Sequence, residues 1–150
     1  MISIMADNEL TESLYDADIL LWSEQQAELL LCRSANALDW DNLAEEIKDV
    51  GLSQLHAVMS HLRLALLHDL KAEAWPLSRD VEHWRAEARG HRDDARDRFT
   101  PSMAQRIDVE KLYRQARRRM PAKVDGVAAL PVPDTCPVSL EELLSEKDAE

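Results

Sequence analysis

The sequence predicts an all-α fold, a single-domain helical bundle of four main helices with a proline-rich C-terminal strap and a short terminal helix. Apolar residues recur at spacings of three and four over long stretches, as they do along one face of a helix. Good helix formers dominate the composition, and only 3 of the 150 residues are glycine. A chain of this length fits one domain, which we expect over residues 11–150 after a flexible tail at residues 1–10.

The first helix is predicted from about Glu12 to Cys32, with Asp16 and Asp18 favouring its N-terminal end. One face of this helix is expected to be buried, and it carries Tyr15, Ile19, Trp22, Gln26, Leu29 and Leu30. Gln26 is the polar exception on that face, so we expect it to hydrogen-bond to another helix.

The second helix, over residues 38–71, is predicted to lie at the centre of the bundle. Asp39 is a good N-cap, while Gly51 leaves two alternatives: the helix bends there, or it ends and restarts at Ser53. Between Leu62 and Leu70 nearly every side is apolar, which is typical of a helix contacted from several directions. If the other helices do not cover this segment, a homodimer is required.

The remaining elements are predicted from their start and stop signals. The third helix is expected from Arg79 to Arg98, and the fourth from Thr100-Pro101 to about Met120, where Pro121 ends it. The proline-rich stretch 130–137 is expected to be extended. Ser139 and Glu142 form a capping-box pattern that opens a last helix over residues 140–144.

The charge and cysteine content argue against several classes of protein. A net charge of −11 disfavours general binding to nucleic acids or anionic membranes, although residues 75–123 are locally basic, with 13 basic and 8 acidic side chains. Nucleic-acid contact through residues 79–119 is therefore kept only as the second alternative function. The two cysteines are far apart, and the chain starts without the pattern of a signal peptide. We expect a cytoplasmic protein with reduced thiols.

A candidate buried polar cluster is predicted around the second helix, because a carboxylate or histidine in a central helix needs a partner. Its members are Glu45, Glu46, His68, Lys71, Arg79 and Trp84. His61 and His68 share a helix face but lie about 10.5 Å apart along the axis, too far for one metal ion. The sequence therefore predicts no metal ligands, no cofactor and no catalytic residue. A metal- or carboxylate-dependent hydrolase using Glu46 and His68 remains the alternative function.

The leading hypothesis from the residues alone is a small non-catalytic protein-interaction module. A candidate docking cluster for an acidic protein partner is formed by basic side chains with no acidic residue between them, namely Arg114, Arg117, Arg118 and Arg119. No apolar run reaches the roughly 18–20 residues that span a bilayer, so no membrane segment is predicted.

Several motifs, taken in order, resemble a bacterial family known as domain of unknown function 29. They are Leu14-Tyr15-Asp16-x-Asp18 with Trp22, Asn42 to Ile47, Leu66-Leu67-His68-x-Leu70-Lys71, Arg79 with Trp84, Pro101-Ser102, Tyr113-x-x-Ala116-Arg117 and Cys136-Pro137. The resemblance covers residues 14–144 and implies a helical bundle of bacterial origin, without an activity. Two departures are the linker Ala-Glu-Ala-Trp75, where an aromatic is expected directly after Lys71, and Pro121, where the family pattern is helical.

Overall fold

The computed structural model describes residues 14–146, and the all-α class is confirmed. The chain divides into two compact units, residues 1–52 and residues 53–150. The predicted flexible tail at residues 1–10 and the predicted start of the first helix at Glu12 lie outside the described residues. The α-helices are α1 (Ile19–Leu31), α2 (Trp40–Ala74), α3 (Val81–Arg98), α4 (Val109–Arg118) and α5 (Leu140–Leu143).

In the first unit, α1 begins where the sequence places a cap. The carboxylate of Asp18 accepts a hydrogen bond from the Leu21 amide and satisfies one of the free N–H groups of the first turn. Gln26 is buried and makes the bond predicted for it, because its Oε1 accepts from the backbone N–H of Asp39 at 2.9 Å. The indole N–H of Trp22 donates to the Asp39 carboxylate at 3.3 Å. These bonds join α1 to the start of α2.

The second helix runs through Gly51 without a break, which rules out the alternative that it ends and restarts at Ser53. Its second half carries the core of the second unit. Leu62, Ala65 and Leu66 are buried, and the cluster around them includes side chains from α3, α4 and α5, namely Ala95, Leu112, Tyr113, Ala116 and Leu143. The apolar segment from Leu62 to Leu70 is thus buried or half-buried by residues of its own chain.

The predicted start of the fourth helix at Thr100 is wrong. Pro101–Met103 form a single 3₁₀ turn, and α4 begins nine residues later at Val109. Asp108 is the N-cap, with its carboxylate accepting from the Lys111 amide at 3.0 Å. Two capping signals compete in this stretch, and the side chain that makes a capping hydrogen bond is the aspartate.

A two-stranded hairpin follows α4, in the stretch between Pro121 and residues 130–137 for which the sequence predicted neither a helix nor a strand. Strands β1 (Lys123–Val124) and β2 (Val127–Ala128) pair in an antiparallel register. Asp125 and Gly126 connect them with φ values of 49° and 78°, as a two-residue hairpin turn requires. The hairpin is fixed to the end of α2, because the Trp75 indole N–H donates to the Val127 carbonyl and the Leu130 amide donates to the Ala74 carbonyl.

The segment after the hairpin contacts α4 and ends in α5. The Tyr113 hydroxyl donates to the Pro133 carbonyl at 2.6 Å, and the Cys136 amide donates to Glu110 at 2.9 Å. The predicted capping box at Ser139 and Glu142 is confirmed, with both of its hydrogen bonds present. None of the helices within residues 14–146 is long and apolar enough to cross a membrane.

Candidate functional site

A cluster of three histidines and two carboxylates lies between α2 and α3 in the second unit. His61 comes from α2 and His91 from α3, and their Nδ1 atoms are 3.2 Å apart. Asp94 lies three residues after His91 on the same helix, and its Oδ2 is 3.9 Å from the His61 Nδ1. Residues three apart share a helix face, so α3 presents both groups to the same side of α2.

The opposite edge of the His91 ring faces a second set of polar groups. Its Nε2 lies 3.9 Å from the carboxylate of Glu87, one helical turn earlier. His68 stacks on the same ring, with centroids 5.8 Å apart and planes 12° from parallel. His91 therefore stands between the two histidines of α2. This cluster offers two groups of three possible metal ligands, one with His61, His91 and Asp94 and one with His68, Glu87 and His91.

His68 is the third histidine of the cluster, and it is half-buried. Its Nδ1 is buried and has no hydrogen-bond partner among the described residues. Burial lowers the pKa of His68 below its ordinary value, and the positive charges of Lys71 and of a protonated His91 lower it further. The neutral imidazole is therefore the favoured form in the folded protein.

The sequence analysis identified His61 and His68 but missed the residue that lies between them. The helix geometry correctly separated the two histidines by two turns, and this separation led to the prediction of no metal ligands. His91 was overlooked because it lies in an arginine-rich helix. A detectable signal was present, since Glu87, His91 and Asp94 follow at spacings of four and three and so share one helix face.

The predicted buried polar cluster is divided between the two units, and its members have separate partners. Glu46 belongs to the first unit, where it accepts a hydrogen bond from the Tyr15 hydroxyl at 2.8 Å. This bond, together with partial burial, raises the pKa of Tyr15 to about 12. Glu45 beside it is exposed. His68 belongs to the second unit, where its ring stacks on His91.

Within the second unit, Lys71 and Trp84 contact each other, whereas the sequence proposed them as partners of Glu45 and Glu46. The Lys71 ammonium lies 5.7 Å from the centre of the Trp84 ring, within the range of a cation–π contact. Arg79 is not part of this contact. Its side chain is 81% exposed and its Nε lies 3.9 Å from the carboxylate of Asp125 on the hairpin turn.

An apolar groove of about 500 Å³ lies where the hairpin meets the end of α2. Trp75, itself buried, lines the groove together with Leu77, Val124, Val127 and Leu130. Leu77 is 97% exposed, and Val127 and Leu130 are more than half exposed. Concave apolar surfaces of this volume are typical of sites that bind a ligand or a partner.

The candidate docking cluster on α4 is only partly free of other contacts. Arg117 donates to the backbone carbonyl and the carboxylate of Asp134, both at 3.2 Å. Arg114 and Arg118 are exposed and line a shallow depression with Arg117. Arg119 is exposed at the end of the same helix and, like Arg114 and Arg118, forms no ion pair within the described chain.

Many other arginines of the locally basic stretch are neutralised by neighbouring carboxylates. Arg85 pairs with Glu82, Arg92 with Asp69 and Arg96 with Asp93, at 2.6 to 2.8 Å. Arg96 also donates to the carbonyls of Leu144 and Ser145 at the end of α5. These side chains are engaged in the structure of the second unit, so residues 79–98 present no continuous basic face for a phosphate backbone.

Comparison with known proteins places the chain among uncharacterised helical proteins. Among curated proteins, no match was found. A crystal structure of an alpha-helical protein of unknown function from Rhodospirillum rubrum is similar, with 26% sequence identity and a TM-score of 0.64. The similarity covers 88% of this chain and 89% of that one. The family described as Domain of unknown function DUF29 matches residues 14–147, and the chain therefore belongs to this family.

Proposed function

We propose that the protein is a non-catalytic interaction module that binds an uncharged, apolar segment of another protein in the groove beside the hairpin. The observation that carries the proposal is the exposure of three large apolar side chains around one concavity, led by Leu77 at 97%. Leaving such side chains in water costs roughly 1.5–3 kcal/mol each relative to burial, so a partner that covers them gains affinity.

The chemistry of the occupant follows from the charges at the rim. Arg79 and Asp125 both line the groove, and their opposite charges lie 3.9 Å apart and offset each other. No net charge is left there to attract a charged segment, and the walls consist of aliphatic and aromatic groups. An apolar peptide segment fits this combination better than the acidic partner predicted for the arginines of α4.

The floor of the groove is rigid enough to serve as a preformed site. The Trp75 indole is held by its 2.8 Å bond to Val127 and packs edge-on against Trp84 with ring centroids 6.3 Å apart. Ordering these side chains before binding reduces the entropy lost on association.

A random peptide library displayed on phage is the probe for this function. We expect enriched peptides to be apolar and uncharged, and we expect Leu77→Asp to weaken their binding at least tenfold, or about 1.4 kcal/mol. Leu31→Asp is the matched control, since Leu31 is 79% exposed but lies in the first unit. Binding is measured by fluorescence polarisation of a labelled peptide.

Other results would replace the proposal by a different one. Acidic peptides that lose binding in Arg118→Glu, but keep it in Leu77→Asp, would assign docking to the α4 arginines. A concentration-dependent dimer abolished by Leu77→Asp would make a second copy of the chain the occupant. Binding to an oligonucleotide at 150 mM salt, lost in the same arginine variant, would move the function to nucleic-acid contact.

A further inference from the structure

We propose that His61, His91 and Asp94 form a binding site for one divalent transition-metal ion of the zinc class. The site is separate from the apolar groove, and it is formed by α2 and α3 alone. His61 and His91 are about one-quarter and one-fifth exposed, so the site is shielded yet open to solvent on one side.

The separation of the two imidazoles matches that of two ligands on one ion. Zinc is bound by histidine nitrogens at about 2.0–2.1 Å in tetrahedral sites, which places two such nitrogens about 3.3 Å apart. The Nδ1 atoms of His61 and His91 are 3.2 Å apart. Their rings are tilted by 36° with centroids 5.4 Å apart, so the two nitrogens approach while the rings diverge.

Asp94 supplies the third ligand from the same helix face as His91. Its Oδ2 is 3.9 Å from the His61 Nδ1, which is slightly longer than the separation expected for ligands of one ion. The side chain is 60% exposed and free to rotate by this small amount. Three protein ligands leave the fourth tetrahedral position to a water molecule.

The remaining members of the cluster fit the supporting role that metal-binding histidines require. Such a histidine usually interacts through its other ring nitrogen with a carboxylate that fixes the tautomer and the ring orientation. The Nε2 of His91 faces the Glu87 carboxylate at 3.9 Å, and His68 stacks against the ring. Glu87 and His68 thus lie beside His91, and Glu87 would orient the ring once its carboxylate moves within hydrogen-bond distance of Nε2.

The ligand set indicates the class of metal. Two imidazoles and one carboxylate suit zinc, and also cobalt, nickel and copper. Affinity for divalent ions at such sites rises from cobalt through nickel to copper and is lower again for zinc. Magnesium and calcium prefer sites made of oxygen ligands alone. A hydrogen bond between two neutral imidazoles would also explain the 3.2 Å distance, and metal titration separates the two explanations.

The test uses protein without a histidine tag and with the substitution Cys32→Ser. The exposed Cys32 thiol lies 3.4 Å from Glu28 and would offer the metal a competing site. Titration with cobalt(II) is expected to give visible absorption bands that saturate at one equivalent per chain, and zinc is expected to raise the melting temperature. His61→Ala and His91→Ala should each weaken binding by more than about 100-fold, beyond the loss typical of a supporting residue.

Matched variants keep the proposal falsifiable. His56→Ala removes an exposed histidine of α2 outside the cluster and should bind metal as the parent does. Asp94→Asn tests the carboxylate in case a histidine variant fails to fold, and it should weaken binding. Glu87→Gln should weaken binding about 10- to 100-fold without changing the stoichiometry.

Three results would overturn the assignment. No saturable cobalt spectrum, with no change in melting temperature, would leave the two imidazoles as a simple hydrogen-bonded pair. Equal affinity in the parent, His61→Ala and His91→Ala would place the metal elsewhere. Undiminished binding in His61→Ala, together with its loss in Glu87→Gln and His68→Ala, would move the ion to the other edge of His91.

Discussion

His68 illustrates how a single residue differs from its predicted role. From the sequence, His68 could be either a core residue or a metal ligand, and Glu46 was one of its expected partners. In the structure its ring stacks on His91, its Nδ1 is buried without a partner among residues 14–146, and its neutral form is favoured. The sequence could predict that His68 is poorly solvated, because the surrounding residues are apolar. It could not predict the neighbour, which depends on the rotation of α3.

The lowered pKa of His68 predicts a loss of stability in mild acid. As the pH falls through 6.5, the ordinary value, the unfolded chain takes up a proton at this position before the folded chain does. The contribution of His68 to stability is therefore complete above pH 6.5 and decreases below it, until the folded protein is also protonated. The slope for one proton cannot exceed about 1.4 kcal/mol per pH unit.

The measurement is urea unfolding of the parent and of His68→Leu between pH 5 and pH 8. The variant should lose less stability than the parent on acidification, since it has no proton to take up. His56→Ala, which removes an exposed histidine of α2 that does not contribute to the shift of His68, serves as the control and should keep the dependence of the parent. Identical pH profiles for the parent and His68→Leu would contradict the prediction.

At the scale of elements, the sequence predicted the helix caps, which depend on residues close in sequence. It missed the start of α4, where two capping signals compete. The Asp39 cap and the capping box at Ser139 follow from local chemistry, the hydrogen bond of Gln26 follows from its place on the buried face, and all three are present. The start of α4 was misplaced because Thr100-Pro101 and Asp108 are both valid start signals. The hairpin was missed although Asp125-Gly126 is a strong turn signal, because each of its strands has only two residues and so shows no alternating pattern.

Gly126 is the residue on which the hairpin turn depends most directly. Its φ of 78° belongs to the left-handed region, where a residue with a Cβ costs roughly 1–2 kcal/mol. We expect Gly126→Val to destabilise the protein by about that amount and to weaken peptide binding in the groove, because β2 forms one wall. Chemical denaturation and the peptide-binding assay measure the two effects.

Gly90 is the control within the same unit, because replacing it should change stability in the opposite direction. It lies inside α3 with open space around the position of a Cβ, so Gly90→Ala should stabilise the protein by about 0.5–1 kcal/mol. Peptide binding should be unchanged in this variant. If both glycine variants changed stability in the same direction, backbone conformation would not be the cause.

At the scale of the whole molecule, the prediction of a single domain implies that the chain unfolds cooperatively. The chain divides into two compact units, and α2 is a continuous helix with residues in both. Since fraying one half of this helix removes hydrogen bonds from the other, we predict one unfolding transition in calorimetry, with equal calorimetric and van't Hoff enthalpies. Two resolved transitions would mean that residues 1–52 and 53–150 are separate folding domains.

The helical class and much of the core could be predicted because both follow from the 3.6-residue period. The helical spacing in α2 predicts one apolar stripe of Leu55, Val58, Met59, Leu62, Leu66 and Leu70. All of them are buried except Met59, which is half-buried. The histidine cluster and the groove could not be predicted in this way, because each joins segments that are distant in sequence. Their formation depends on which faces of the helices meet, and the hydrophobic period alone does not specify that.

The hydrogen bond between Trp75 and Val127 affects the order in which the nascent chain folds. It joins residues 52 positions apart, whereas the helix that carries Trp75 forms through contacts four residues apart. During synthesis, the apolar floor of the groove therefore emerges well before the hairpin that covers its edge. Long-range pairings of this kind close late in folding. The nascent protein thus exposes the Trp75 surface for a period, and a chaperone that binds apolar segments would encounter it before any partner does.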